Sequence, residues 1–209
     1  MRRRLMAFEK SGGSVGLPDG YTAVNYIQSS GTQWIEMGVA PSQNTKVVLK
    51  IMITNLNAVG SSLIGSRTSL NSTDQFTTYL DNYGGSRFLF RVDGQTSTTP
   101  FSGVKTNTFY TVTLSASEMR FELEDGTIAF SSTFSVSDFT SAVAMALFRS
   151  KGVSGVYFQG KIYGCKHYNG DKLIQDFVPC LDSAGVPCMY DFVGKTAFYN
   201  QGTGSFTWG

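Results

Sequence analysis

Apolar and polar side chains alternate along much of this chain, most clearly between residues 46 and 53. There, every second position is aliphatic: Val47, Leu49, Ile51 and Ile53. Successive side chains of a β-strand point to opposite faces, so these four residues form one continuous apolar face. The intervening positions are mixed. The segment therefore predicts a strand that is covered on one face and partly covered on the other.

The same alternation recurs in later segments that end at turn dipeptides. Residues 87–92 place Phe and Val opposite Arg and are followed by Asp93-Gly94. Residues 110–114 and 119–123 each have one apolar face, and Asp125-Gly126 follows the second of these segments. Asp-Gly favours a two-residue hairpin loop, so these segments indicate an antiparallel sheet. With a further strand at residues 159–168, the pattern predicts about twelve strands, as in a two-sheet sandwich.

Three segments are less regular. Residues 135–148 fit a short helix, but their second half, residues 142–148, fits a buried strand equally well, and we favour the strand. Residues 78–85 and 150–157 combine Tyr with Gly and polar residues, and we predict loops there.

The first residues differ in character from the rest. Residues 1–17 are basic at Arg2, Arg3 and Arg4 and then rich in Gly and Ser, which is typical of a flexible arm and linker. Residues 18–209 are predicted to form one domain. The arm begins like a signal peptide but lacks the apolar segment of about 7–15 residues, so we expect no export signal. No apolar run approaches the roughly 20 residues that cross a bilayer, so we expect no membrane insertion.

The composition changes this picture in two ways. Hydrophobic residues make up 41% of the chain, which is enough for a core, whereas charged residues make up only 15%. Solubility must therefore depend on hydroxyl and amide side chains, which suits a secreted or virion-exposed β protein. The net charge is +2, and no basic face beyond the arm predicts a nucleic-acid partner.

The cysteines give little support to a metal centre. Cys165, Cys180 and Cys188 are an odd number in a chain without a signal, and we expect free, partly buried thiols. A zinc site made of these residues and His167 lacks the paired spacing of structural zinc sites. We therefore predict no metal and no cofactor.

Two segments resemble known proteins. They are LPDGYTAVNYIQSSGTQWIEMGV, residues 17–39, and GKIYGCKHYNGDKLIQDFVPCLDSAGVPCMYDFVGKTAFYNQGTG, residues 160–204. The first resembles the opening segment, and the second resembles the closing segment, of bacteriophage and prophage virion proteins with a concanavalin A-like (laminin-G-like) jelly roll. The second contains Asp-Phe-Val-Pro, a Tyr-Asp pair, and Phe-Tyr shortly before Gly-Thr-Gly.

This resemblance implies an all-β fold, a concanavalin A-like jelly-roll sandwich of two antiparallel sheets whose first and last strands lie together. It also implies a virion location, assembly in the bacterial cytoplasm, and capsid or tail proteins as partners. In that setting we expect Arg2, Arg3 and Arg4 to attach the domain to the virion. The position in head or tail and any homo-oligomer stay open. Lectins and some glucanases share the fold, so it does not fix the function.

Carbohydrate binding requires an aromatic platform and polar groups that pair with hydroxyls. The predicted loop at residues 78–85 offers this mixture in Tyr79, Asp81, Asn82 and Tyr83. An ordinary hairpin turn whose tyrosines cover the sheet edge is the alternative. Trp34 is a further candidate platform, although we expect it to pack at an edge while Ile35 and Met37 enter the core.

A glycosidase of this fold would need two carboxylates across a cleft. The only candidates are Glu122 and Glu124, which are predicted on one face of a hairpin with Arg120. We interpret them as a solvated face and predict no catalytic residues. The sequence thus favours a non-enzymatic virion protein, in a tail or head appendage, that adheres to bacterial surface carbohydrate. A glycan-degrading enzyme of the same fold and a ligand-free capsid or tail scaffold are the alternatives.

Overall fold

The computed structural model describes residues 16–69, 72–81, 85–93, 95–152 and 157–209. Within these ranges the chain forms 18 β-strands and no helix, and hence no helix able to span a membrane. The strands are β1 (Thr22–Ala23), β2 (Ile27–Ser29), β3 (Ile35–Glu36), β4 (Thr45–Ile53), β5 (Ile64–Ser66), β6 (Phe76–Asp81), β7 (Arg87–Val92), β8 (Gln95–Phe101), β9 (Phe109–Ser115), β10 (Glu118–Leu123), β11 (Ile128–Thr133), β12 (Ala146–Leu147), β13 (Ser150–Lys151), β14 (Gly160–Asn169), β15 (Lys172–Leu181), β16 (Pro187–Asp191), β17 (Thr196–Tyr199) and β18 (Thr207–Trp208).

The larger sheet is antiparallel and contains 11 strands. Its main path runs β11-β10-β9-β4-β14-β15-β16-β17. Strand β14 pairs with β4 along one edge, and with β2 and then β15 along the other. The four aliphatic side chains that alternate along β4 are fully buried, which confirms the strand predicted there.

The smaller sheet contains seven strands. Six of them follow the order β3-β12-β5-β6-β7-β8, and the seventh, the short β13, pairs in parallel with β5. The predicted hairpin at Asp93-Gly94 is confirmed, because Val92 of β7 pairs with Gln95 of β8. Asp93 adopts a φ of 51°, a left-handed conformation that Asp tolerates better than most residues.

The core lies between the two sheets and is rich in phenylalanine. Phe88 of the smaller sheet meets Phe121 of the larger sheet with ring centroids 5.2 Å apart, and both side chains are fully buried. Burying one such side chain stabilises the fold by about 1.5–3 kcal/mol. Contacts of this kind join the sheets because each strand presents its apolar face inward.

The last strand lies beside the second strand rather than the first, which pairs with β15. Strand β18 pairs with β2, and the loop after β17 fastens the turn between β2 and β3. The side-chain Oδ1 of Asn200 accepts hydrogen bonds from the backbone of Trp34 at 3.1 Å and of Gly202 at 2.9 Å. A Cβ at Gly202 would lie 1.9 Å from the carbonyl oxygen of Thr32, so only glycine permits this approach.

Three predictions about the elements need correction. The described residues form 18 strands rather than about twelve, because several pieces of only two or three residues join the sheets. Residues 78–81 belong to β6 and residues 150–151 to β13 rather than to loops, because they pair with β7 and β5, respectively. Of the strand favoured at residues 142–148, only Ala146–Leu147 is a strand, and no helix occurs there.

Candidate functional site

Two of the predicted site residues, Tyr79 and Asp81, lie on β6, on the outer face of the smaller sheet. Phe76 and Leu80 of this strand point into the core, so Tyr79 and Asp81, which alternate with them, point outward. On β7, Arg91 points outward between the buried Phe90 and Val92. Tyr79 and Asp81, predicted in a loop, therefore lie on the outer face of a strand.

Asp81 is engaged by a neighbouring arginine. Its carboxylate accepts two hydrogen bonds from Arg87, the directly opposite residue on β7, at 2.8 Å from Nε and 2.7 Å from Nη2. Such a two-pronged pair satisfies both carboxylate oxygens and holds the side chain in one geometry. Asp81 therefore positions Arg87.

Tyr79 lies close to two arginines, Arg67 and Arg91, and we call this group the Arg67–Tyr79–Arg91 cluster. The guanidinium carbon of Arg91 lies 5.1 Å from the centre of the Tyr79 ring. The two residues are diagonal neighbours on β6 and β7, because Tyr79 pairs with Leu89. Long and aromatic side chains reach each other across such a diagonal. All three side chains are half-buried.

Arg67 joins this cluster from the end of β5. Its backbone N–H donates to the carbonyl of Lys151 at 2.9 Å, which aligns the chain after β5 with β13. Gly152 permits this approach. Its φ is +95°, and a Cβ there would lie 1.8 Å from the carbonyl oxygen of Arg67. A side chain at residue 152 would therefore displace the backbone that carries Arg67.

Burial and charge act in opposite directions on Tyr79. Burial raises the pKa of the Tyr79 hydroxyl, and the positive charges of Arg91 and Arg67 offset this only in part. Burial also lowers the pKa of Arg67, and the like charge of Arg91 adds to that effect. At neutral pH the hydroxyl is therefore a neutral hydrogen-bond donor close to two cations.

Several polar atoms of the cluster have no hydrogen-bond partner. Arg67 Nε and Arg91 Nε are each buried and unpaired among the described residues, and the buried Tyr79 Oη makes no well-aligned hydrogen bond, although Arg91 lies near enough to lower the pKa of that hydroxyl. Ser150 Oγ is also unpaired, and this residue lies on β13 opposite Gly65 of β5. An unpaired buried polar group costs about 1–3 kcal/mol, so a cluster of them needs a physical reason.

Trp34 lies at a different place on the sheet. It precedes β3, which is three strands from β6 and hence about 14 Å away. The Arg149 guanidinium carbon lies 4.6 Å from the centre of its ring and 5.2 Å from that of Tyr157. As expected, Ile35 and Met37 are buried while Trp34 packs at the edge of the core.

The other predicted binding residues lie outside the described part of the chain. Asn82 and Tyr83 fall in residues 82–84, and Arg2, Arg3 and Arg4 fall in residues 1–15. Their predicted roles therefore stay predictions.

The two glutamates considered for catalysis do not share a strand face. Glu122 lies on β10 and forms an ion pair with Arg120, whereas β10 ends at Leu123 and Glu124 is exposed in the turn that follows. Among the described residues, no group of three or more His, Cys, Asp or Glu side chains lies close enough to hold a metal ion. His167 bonds to Gln175, and Cys180 lies against Cys188.

The sequence did not single out Arg67 or Arg91 for the site. The alternation of Arg87 and Arg91 with Phe88 and Phe90 marked only a polar face of a strand. Twelve residues separate Arg67 from Tyr79 in the chain, and no local pattern links them. Asp93 lies two positions after Arg91 and Asp74 seven positions after Arg67, so the sequence carried no signal that these arginines lack a carboxylate partner.

Two antiparallel sheets with a shared apolar core define the class of protein as an all-β sandwich. No family model matches the chain, and no curated protein matches it. Among solved structures it is similar to a crystal structure from Bacteroides ovatus named "putative carbohydrate binding protein", with a TM-score of 0.59 and 12% sequence identity. The match covers 90% of this chain but spans only 60% of the length of that protein. The fold is thus the predicted concanavalin A-like jelly-roll sandwich of two antiparallel sheets.

Proposed function

We propose that this domain is a non-catalytic carbohydrate-binding module and that its binding surface is the outer face of the smaller sheet. The observation that carries this proposal is the Arg67–Tyr79–Arg91 cluster, with its buried and unpaired polar atoms. Sugar hydroxyls both donate and accept hydrogen bonds. They would accept hydrogen bonds from the half-buried guanidinium groups of Arg67 and Arg91.

The fold adds support of a second kind. The Bacteroides ovatus structure that shares it has a name that refers to carbohydrate binding. Binding proteins commonly place their ligands on a rigid scaffold with a few converging polar groups. In this domain, β6 and β7 supply that scaffold, since their inner faces are fixed in the core.

We also propose that the module belongs to a phage virion, in a tail or head appendage, and adheres to bacterial surface carbohydrate. The resemblance of residues 17–39 and 160–204 to virion proteins supports this, as does the basic arm suited to docking on a capsid or tail protein. Many copies on one particle would turn weak single-site binding into firm adhesion. Neighbouring genes for capsid, portal and tail proteins would support the virion proposal, and a setting without any phage genes would contradict it.

The binding proposal is tested with two tyrosine variants. The purified domain would be screened on a panel of bacterial surface glycans as wild type, Tyr79→Ala and Tyr168→Ala. Tyr168 is the matched control, because it is a half-buried tyrosine of the larger sheet with Lys46 Nζ 4.8 Å from its ring centre. We expect Tyr79→Ala to weaken binding by about tenfold or more and Tyr168→Ala to change it by less than about twofold.

The same screen separates the alternatives. Unchanged binding in Tyr79→Ala, with both variants still folded by thermal unfolding, would place the site elsewhere. Shortening of a bound glycan by the wild type, abolished by Glu122→Gln, would identify a glycosidase instead. Silence on all glycans, with docking to a virion protein through residues 1–17, would identify a scaffold.

A further inference from the structure

We propose that the Arg67–Tyr79–Arg91 cluster selects saccharides that carry an oxyanion, either the carboxylate of an acidic sugar or the phosphate of a phosphorylated sugar. This inference rests on the proposed carbohydrate-binding function. It adds the chemical class of the ligand.

The first argument is the absence of a counter-charge. Arg87, Lys151, Arg120 and Lys166 all form ion pairs with carboxylates. Within the described ranges, no carboxylate forms an ion pair with Arg67 or Arg91. Outside the described ranges the sequence contains one acidic residue, Glu9, and residues 95–99 of β8, which runs beside Arg91, contain none.

The second argument is the mutual effect of the two arginines. Both arginines lie near Tyr79. Partial burial lowers the pKa of Arg67, and the like charge of Arg91 lowers it further. An oxyanion bound between them would remove this repulsion. Guanidinium groups bind carboxylate and phosphate through paired, planar hydrogen bonds, and are therefore suited to both groups.

The third argument concerns the aromatic ring. A neutral sugar is usually held by stacking on an open aromatic face, but the guanidinium of Arg91 already lies over one face of Tyr79. Arg149 likewise lies over the ring of Trp34. Tyr79 then contributes by packing its ring against the Arg91 guanidinium and holding that side chain in place, while its own hydroxyl is buried.

The test compares matched acidic and neutral probes by titration calorimetry. One pair is an oligogalacturonide and its fully methyl-esterified form. The other is a phosphomannose-terminated oligosaccharide and its dephosphorylated form. The two pairs distinguish a carboxylate from a phosphate as the source of charge. We expect at least one acidic probe to bind about tenfold to a hundredfold more tightly than its neutral form. Raising the salt concentration should reduce that preference.

Arginine variants assign the preference to the cluster. The double variant Arg67→Gln/Arg91→Gln should bind the acidic and neutral probes equally. Arg91→Lys keeps the charge but not the planar geometry, and should retain part of the preference. Arg120→Gln is the matched control, because it removes an arginine from the larger sheet, and it should leave the preference unchanged.

The outcomes separate this inference from the proposed function. Equal affinity of the wild type for the acidic and neutral probes, with binding still lost in Tyr79→Ala, would overturn the charge selection and leave carbohydrate binding intact. Binding of inorganic phosphate as tightly as the phosphorylated sugar would overturn selection of a saccharide. No binding to any glycan would overturn the proposed function and this inference together.

Discussion

His167 shows how much of a residue's role depends on its surroundings. The ring is almost fully buried, and its Nδ1 lies 2.9 Å from Gln175 Oε1. Gln175 Nε2 donates to the carbonyl of Met37 at 2.8 Å, so Oε1 is the acceptor and His167 Nδ1 carries the proton. This chain of bonds joins β14 and β15 to the segment after β3. A lone histidine in the sequence thus becomes a structural hydrogen-bond donor.

Burial of His167 predicts a loss of stability in mild acid. Burial lowers the pKa of His167 below its ordinary value of 6.5, and the bond to Gln175 and the charge of Asp191 offset this only in part. Below about pH 6.5 the unfolded chain therefore binds a proton that the folded chain still refuses. The free energy of unfolding should therefore decrease as the pH is lowered below about 6.5, until the pH reaches the pKa of His167 in the folded protein.

Urea unfolding at about pH 7.5 and about pH 5 would measure this effect in the wild type and in His167→Gln. The variant lacks the titrating ring, so its free energy of unfolding should fall less between the two conditions. An equal fall in both proteins would assign the acid sensitivity to the carboxylates.

At the scale of elements, the pairing of β15 with β16 brings two cysteines together. Cys180 and Cys188 are directly opposite and fully buried. They are not joined by a disulfide, and their sulfur atoms are 3.4 Å apart. The hydrogen bond with Cys188 lowers the pKa of the Cys180 thiol and raises that of Cys188. Directly opposite residues have Cα atoms about 4.5–5.5 Å apart, within the range that a disulfide spans.

Oxidation should therefore join Cys180 to Cys188. With diamide as the oxidant, each thiol loses one hydrogen, the sulfur atoms bond, and diamide is reduced to its hydrazine. Closing this short loop should stabilise the fold by roughly 2–3 kcal/mol, less any strain, and raise the Tm. Mass spectrometry of the alkylated, unfolded protein would show one free thiol, Cys165. Cys188→Ser is the control, and we expect it to keep two free thiols after oxidation. Three free thiols in the oxidised wild type would contradict the prediction.

At the scale of the whole molecule, the two ends of the described chain close the sandwich. Strand β18 lies beside β2, and Phe206 just before it is buried against Phe148, with ring centroids 5.1 Å apart. A hydrogen bond from the backbone of Trp34 to Asn200 also joins residues 17–39 to residues 160–204. The stability of the fold should therefore depend on its last residues.

Phe206→Ala should lower the free energy of unfolding by about 3–5 kcal/mol, because it removes a buried ring and leaves a cavity. Trp208→Ala is the comparison, since Trp208 is 51% exposed two residues further on, and it should cost less than half as much. Chemical unfolding of the two variants measures the difference. Similar losses in both would show that pairing of β18, rather than core packing of Phe206, closes the sandwich.

The sequence predicted the fold well because alternation is a local property. The burial of every second residue in β4 and the turn at Asp93-Gly94 need only their own neighbours to be recognised. The short strands β5 and β13 were not predicted, because two or three residues carry no period. They become strands only through their partners in the smaller sheet.

Likewise, only part of the candidate site could be predicted from the sequence. Tyr79 and Asp81 could be proposed from the sequence as polar and aromatic residues near a predicted turn. Asp81 is nevertheless satisfied by Arg87, the residue opposite it in register, and Tyr79 meets Arg67 and Arg91 instead. Alternation assigns a side chain to a face of a strand, but it does not say what lies beside it on the next strand.

The sequence by itself therefore determined that this chain is a β-sandwich and which faces of its longer strands are buried, since these depend on the spacing of apolar residues along one strand. Tertiary structure alone decided which polar residues meet on the outer face of the smaller sheet. It left Arg67 and Arg91 without a carboxylate in the described structure while giving one to Arg87. The physical reason is that strand register and the approach of the backbone at Gly152 set those distances, and both arise only when distant segments pack together.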